Sequence, residues 1–372
     1  MPLLARFLVP TTKCKPPVKR LLIGDTLLRW YKQAGRDLPW RTTDDPYAIW
    51  VSEIMLQQTQ VATVIPYYNR FLARFPTVQI LAMAPLDHVL KIWEGMGYYA
   101  RARSLLLAAQ KIVEQFGGNM PRSHQELYSL PGIGRSTAGA ILNIAHLQRH
   151  PILDGNVKRI LVRYFCIRAN PKEKKVEAKL WRLAEQILPV SHVNSFTQAI
   201  MDLGALICLP RRPNCPLCPV QSGCQAYQKG MQYKLPLKSV TKKVPHFDHV
   251  AAVIQNGNKV LIKKRPEKGL LGGLWEFPGG RVIDGTDCNR MIEKEIGQNL
   301  RLTPWFEIKH TFTHFKMTLH LFRGKIGSDK MGSGQIGTAR IPSPFQWAMI
   351  HQLSEYPFSS AHKKIVIKLQ NE

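Results

Sequence analysis

Four cysteines, Cys208, Cys215, Cys218 and Cys224, stand in the spacing C-x6-C-x2-C-x5-C. Four thiolates in one short loop can surround a metal centre, with zinc and an iron–sulfur cluster as candidates. The Cys215-x2-Cys218 turn alone favours zinc slightly. The lack of histidine ligands and the single asymmetric loop favour a [4Fe–4S] cluster. Upstream, Leu130-Pro131-Gly132-Ile133-Gly134 separates two apolar-periodic segments. Pro131 cannot continue a helix, and Gly132 and Gly134 permit positive φ and close backbone approach. A second helix restarting near Arg135 then presents N–H groups that suit a phosphate. Taken alone, the motif is equally a helix–turn–helix corner without a ligand. Two carboxylates complete the set. Glu53 interrupts the apolar run of Ile49, Trp50, Ile54, Met55 and Leu56, and Asp154 opens a helix about twenty residues after the hairpin.

These residues need helices to position them. Periodicity predicts helices over 21–32, 48–60, 64–75, 85–93, 100–116, 125–130, 135–147, 156–165, 175–188 and 195–207. Ser123 and Glu126 make a capping box for the helix before the hairpin. Strand signals are almost absent before Cys224, so the first 225 or so residues read as all-α. A lysine- and proline-containing linker without acids covers 228–246. Beyond it, β-branched runs at 249–254 and 259–263 flank Asn256-Gly257, a hairpin signal. Residues 309–322 give a second strand pair. The chain therefore divides into a basic arm (1–20), an all-α domain (21–227), the linker, and an α+β domain (247–372).

The 372 residues carry 52 Lys and Arg against 25 Asp and Glu, a net charge of +27. Such a field favours a polyanion, and the interleaved Trp, Tyr and Arg suit nucleic acid. No run of about 18 apolar residues is present, so nothing is expected to span a membrane. Arg211 and Arg212 make the cysteine loop a DNA-docking element rather than a redox catalyst. Cys14, Cys166 and Cys288 stand apart and read as inert. Crowded cysteines are not a secreted disulfide framework, and the arm lacks a clear cleavage site. A cytoplasmic location follows, nucleoid-associated if the source is bacterial, with the chain acting as a monomer.

Together, the hairpin, the Leu153-Asp154-Gly155-Asn156-Val157-Lys158-Arg159 segment and the cysteine loop resemble the helix–hairpin–helix DNA glycosylase superfamily. Within it, residues 52–61, 95–103 and the C-terminal domain resemble the MutY-type branch. The endonuclease III branch places a lysine directly after the hairpin Gly-Arg, where it forms an imine with the sugar. Ser136 stands there instead and cannot do so. The resemblance implies a monofunctional enzyme of base excision repair. It would remove adenine paired with 8-oxoguanine or guanine in double-stranded DNA, and would carry a [4Fe–4S] cluster on the four cysteines. An endonuclease III-like glycosylase and lyase, or a silent lesion-binding protein, are the alternatives.

The resemblance also implies roles. Adenine leaves poorly unless N7 is protonated. Glu53, its charged form disfavoured by apolar neighbours, would supply the proton; otherwise it is a salt-bridge partner at a helix contact. Asp154 would stabilise the oxocarbenium-like sugar, and it also reads as an N-cap. Asn156 would orient water or a carboxylate. Gln58 and Tyr98 would fill the hole left by the flipped base, with Thr59 and Met96 near the opposite base. Gly132, Gly134, Ser136 and Lys158 belong to the DNA-contacting set, Ser136 with an uncertain role and Lys158 chiefly as a phosphate contact. Residues 269–280 are similar to the central segment of a Nudix-like module. Thr286 and the 291–295 segment break the catalytic box of that module, so recognition without hydrolysis is expected. Thr313 and His314 would contact 8-oxoguanine through its N7–H, which guanine lacks.

Overall fold

The computed structural model describes residues 19–237, 244–283, 287–297, 300–312, 315–326 and 343–372. Two compact units divide the chain, and they do not follow its order. One draws on Met1–Asp44, Arg122–His124 and Gly134–Ser239, the other on Asp45–Pro121, Gln125–Ile133 and Val240–Glu372.

In the first unit, α1 (Lys19–Ala34) precedes a gap in the unit's sequence. The second unit supplies α2 (Pro46–Leu56), α3 (Val61–Arg74), α4 (Val78–Met83), α5 (Leu86–Trp93), α6 (Ala100–Phe116) and most of α7 (His124–Ser129). The first unit resumes with α8 (Arg135–Ala145), α9 (Gly155–Tyr164), α10 (Lys174–Ile187), α11 (Val193–Asp202) and, past the cysteines, α12 (Gln225–Gln228). No strand occurs among the described residues up to 237. Its core gathers Leu27, Leu161, Leu180, Phe196 and Ile200 from four of these helices. The run read as a linker begins packed, because Leu235 is buried in that core.

The helices depart from the periodic reading at several points, among them 195–207, which leaves the α-helix at Asp202 and continues as a π-helix over Leu203–Ile207. The 48–60 prediction runs too long: α2 stops at Leu56, Gln57 is extended, and Gln58 turns left-handed at φ 58°. The short α4 escapes the pattern because six residues span too few turns to show a period.

The C-terminal part of the second unit is a mixed sheet. Strand β1 (His246–Asn256) lies at its centre, pairing antiparallel with β2 (Lys259–Lys264), whose neighbour is β3 (Trp275–Glu276), and with β4 (Gly279–Arg281). After α13 (Cys288–Ile296), β5 (Leu300–Thr311) and β6 (Lys316–Ile326) form an antiparallel pair, and β6 runs parallel to β1. Strand β7 (Phe345–Met349) pairs with β2, and α14 (Ser360–Gln370) closes the chain. Period-two alternation explains the layering. Ala251 and Val253 of β1 face Ile365 and Leu369 of α14, while Val250, Ala252 and Ile254 face Ile292 and Ile296 of α13. With both faces covered there, the 250–254 stretch of β1 is continuously apolar rather than alternating.

Candidate active site and cysteine cluster

Helix α2 carries Glu53. Asp45 caps it, accepting the Tyr47 amide at 3.0 Å, and Pro46 at the first position supplies a preset φ. Ser52, Ile54 and Met55 beside Glu53 are buried, and Glu53 itself is half-buried.

The helical ladder of α2 ends at Leu56, where Ile54 O still accepts the Gln57 amide at 3.3 Å, and Arg101 of α6 donates to carbonyls at and just past that end. Its Nη1 donates to Ile54 O at 3.1 Å, Met55 O at 2.7 Å and Gln57 O at 2.5 Å. Its Nη2 donates to Thr59 Oγ1 at 3.0 Å and Gly97 O at 3.2 Å. Burial lowers the Arg101 pKa to about 10, which leaves it charged at neutral pH. The same guanidinium lies 5.3 Å from the ring centres of both Trp93 and Tyr98. Arg101 thereby binds the turn after α2 to the loop before α6, which brings Gln58 and Thr59 together with Met96 and Tyr98. Gln58 and Tyr98 both take left-handed backbone, at φ 58° and 49°. Such non-glycine conformations cost of order 1–3 kcal/mol each and persist only where surroundings impose them. Tyr98 is exposed whereas Met96 is buried. Sequence reading missed Arg101. Its signal was a charge on the apolar stripe 101, 105, 108, 112 of α6.

At the hairpin only one glycine uses its conformational freedom. Gly132 sits at φ 80°, and a Cβ there would meet Ser104 Cβ at 2.8 Å. Gln57 Nε2 reaches its carbonyl at 3.4 Å. Gly134 corrects the expectation of positive φ at both positions. It is extended at φ −85°, caps α8, and has open space where a side chain would be. Its value is room for another backbone, not a special dihedral.

Helix α8 also fixes the segment leading to Asp154, through residues 136, 139 and 143 on one face. Ser136 Oγ accepts the Leu153 amide at 2.9 Å. A Cβ on Gly139 would meet Pro151 O at 2.9 Å. Asn143, fully buried, donates to His150 O and Thr197 Oγ1, each at 2.8 Å, and accepts the His150 amide at 2.8 Å. Asp154 then caps α9, its Oδ1 accepting the Val157 amide at 2.8 Å. Burial raises the Asp154 carboxyl above its ordinary range, against the pull of the Val157 and Asn156 amides and of Arg159. Asn156 Oδ1 accepts Arg159 Nη2 at 2.9 Å, and a Cβ on Gly204 would meet Asn156 Cβ at 2.5 Å. Lys158 pairs with Glu177 at 2.8 Å, both partly exposed.

From Asn156, contacts continue into the cysteine loop. Arg159 Nε donates to Cys208 O at 2.6 Å and its Nη2 to Gly204 O at 2.6 Å. Arg163, fully buried, donates to Cys208 Sγ at 3.3 Å and to the carbonyls of Leu209, Pro210 and Leu235. Cys208, Cys215, Cys218 and Cys224 line one cavity with Ile160, Leu203 and Val220. Burial pushes the Cys218 thiol up to about 12, and burial together with the neighbouring thiols raises Cys215 and Cys224. Among the described residues, no three metal-binding side chains close on one point as a single ion requires. The four thiols instead ring an apolar space.

In the C-terminal sheet, the remaining glutamates brace main chain and lysine. Glu295 accepts the Gly279 amide at 2.6 Å and pairs with Lys263, while Glu293 accepts the Leu300 amide at 3.0 Å. Burial would raise the Glu276 carboxyl, but His362, Lys263 and Arg265 hold it below its ordinary range. Thr286, Thr313 and His314 lie outside the described residues. Phe312 and Phe315, which flank the last two, stack at 4.6 Å and border a cavity with Lys263, Glu276 and His362.

Two family models match. Residues 51–186 match the HhH-GPD superfamily of base excision DNA repair proteins, and residues 249–368 match a NUDIX domain. An adenine DNA glycosylase of Buchnera aphidicola subsp. Baizongia pistaciae is 41% identical over 303 residues, covering 81% of this chain and 85% of the relative. The adenine DNA glycosylase of Homo sapiens is 35% identical over 404 residues, covering 91% of this chain and 72% of the relative. Among solved structures, a thermostable thymine-DNA glycosylase aligns with a TM-score of 0.52 and 31% identity, over 57% of this chain and 97% of that one.

Proposed function

The chain belongs to the adenine DNA glycosylase family, and from that premise we propose that it is a monofunctional enzyme taking adenine from 8-oxoguanine:A and G:A pairs. It is a DNA glycosylase of base excision repair. Glu53 delivers a proton to adenine N7. The N9–C1′ bond breaks with its electron pair leaving on the base, and Asp154 faces the cationic sugar. Asn156, held by Arg159, orients the water that adds at C1′, and a carboxylate takes the proton that water releases. Gln58 and Tyr98 occupy the space of the flipped nucleotide, Thr59 and Met96 lie by the opposite base, and Gly132, Gly134 and Lys158 take phosphates. Ser136 supports the Asp154 segment through its bond to the Leu153 amide. Thr313 and His314 read the 8-oxoguanine.

One observation carries this reading. Gln58 and Tyr98, on separate loops, both hold left-handed backbone and are tied together by a single buried arginine. Strain sustained at two adjoining loops supports a preformed wedge for duplex DNA.

The four cysteines fit a [4Fe–4S] cluster better than one zinc ion, since their thiols surround an apolar space and Arg163 donates to a sulfur. Such a cluster supplies a rigid brace for the loop bearing Arg211 and Arg212. The protein then acts as a monomer on duplex DNA.

Single-turnover incubation with a duplex holding one 8-oxoguanine:A pair, each strand labelled in turn, tests the activity. Alkali-dependent cleavage of the adenine strand alone is expected. Cleavage without alkali would revive a lyase, and binding without base release would leave a silent lesion binder.

A further inference from the structure

Glu94 ends α5 immediately before the Met96 and Tyr98 loop, and the proposed excision chemistry does not use it. Its carboxylate is almost fully buried, yet it accepts three donors. Lys91 Nζ of the same helix lies at 3.0 Å, and the other two come from the C-terminal domain: the Phe358 amide at 3.0 Å and Lys363 Nζ of α14 at 2.5 Å. The Glu94 carbonyl in turn accepts the Tyr67 hydroxyl at 2.9 Å. Glu94 is thus held at both side chain and main chain.

The loop begins directly after that anchor. Gly95, Gly97 and Tyr98 all have positive φ, so three of four successive residues hold left-handed backbone. Its far end is also tied to the C-terminal domain, where Arg103 of α6 donates to Gly272 O at 2.8 Å and Gly269 O at 3.2 Å. At the start of α5, Asp87 pairs with Lys264 at 2.8 Å. The C-terminal domain therefore grips the helices on both sides of the loop, and Glu94 is the grip nearest to Met96.

We propose that Glu94 is a positioning residue through which the C-terminal domain sets the Met96–Tyr98 loop for the base opposite adenine. The proposal rests on the reading that this domain recognises 8-oxoguanine. Domain and loop would then report on the same base, and their fixed spacing would make discrimination depend on Glu94 without Glu94 touching DNA. Losing the carboxylate leaves Lys91 and Lys363 facing one another without a counter-charge.

The test uses full-length Glu94→Gln, the half-exposed Lys363→Met and the double variant. Single-turnover excision is measured on 8-oxoguanine:A and G:A duplexes, with hydrogen exchange followed on the free proteins. Each single variant is expected to lower the 8-oxoguanine:A rate about tenfold relative to G:A, and the double variant no further than the worse single one. Exchange should accelerate at the Phe358 amide and across 95–99. An unchanged ratio, equal losses on both substrates, additive losses or unaltered exchange would overturn the proposal. Should the unsubstituted protein show no preference between the duplexes, the recognition reading falls instead, and hydrogen exchange alone decides whether Glu94 anchors the loop.

Discussion

Asp154 combines two demands on one carboxylate. It caps α9, and its burial raises its pKa. A raised folded pKa means the group stabilises the fold below the unfolded carboxylate pKa, and that this contribution is lost as pH rises towards the folded value. At neutral pH the fold therefore carries the cost of an ionised, buried group. Asp154→Asn keeps a capping side chain and removes that cost. Its Tm should equal or exceed that of the parent at pH 7.5, with the difference closing at acid pH, while excision is lost. A lower Tm at neutral pH would contradict this account. Arg101 has no such latitude. Lysine cannot spread donors over five oxygens of α2 and the two loops, so Arg101→Lys should lose about 3 kcal/mol in a denaturant titration, through acceptors left unpaired, and slow excision as well.

At the scale of elements, a glycine or a short polar side chain decides how closely segments approach. Ser136, Gly139 and Asn143 place one face of α8 against 150–153, and Gly204 leaves room for Asn156. Arg159 and Arg163 then join the head of α9 to the cysteine loop through Cys208. Burial raises Cys215, Cys218 and Cys224 above the ordinary thiol range, and a centre that binds thiolates would displace their protons. Purified protein should contain iron and show a broad visible absorption, and Cys218→Ser should lose both together with excision. Colourless, iron-free, fully active protein would refute the cluster.

For the whole molecule, a net charge of +27 makes binding electrostatic and salt-dependent. Glu53→Gln should bind duplex DNA as tightly as the parent and with the same slope of log K against log salt, yet release no adenine. A weakened slope would make Glu53 part of the binding surface rather than the acid.

The sequence alone determined what depends on local spacing. Periodicity marked most helices, Asn256-Gly257 marked the first hairpin of the sheet, and the cysteine spacing and Ser136 were readable residue by residue. The end of α2 was not readable, because the turn after it is held by Arg101, which lies more than forty residues away and whose partners there are mostly carbonyls that carry no residue identity. Nor was the use of glycine. Gly132 and Gly134 are identical in sequence terms, and only Ser104 packed against the first separates a closely packed left-handed turn from an open edge. Tertiary structure also decided which charges are buried. Glu94, Asn143 and Arg163 are ordinary polar residues until packing removes their water, and each then requires the partners that fold the site into shape.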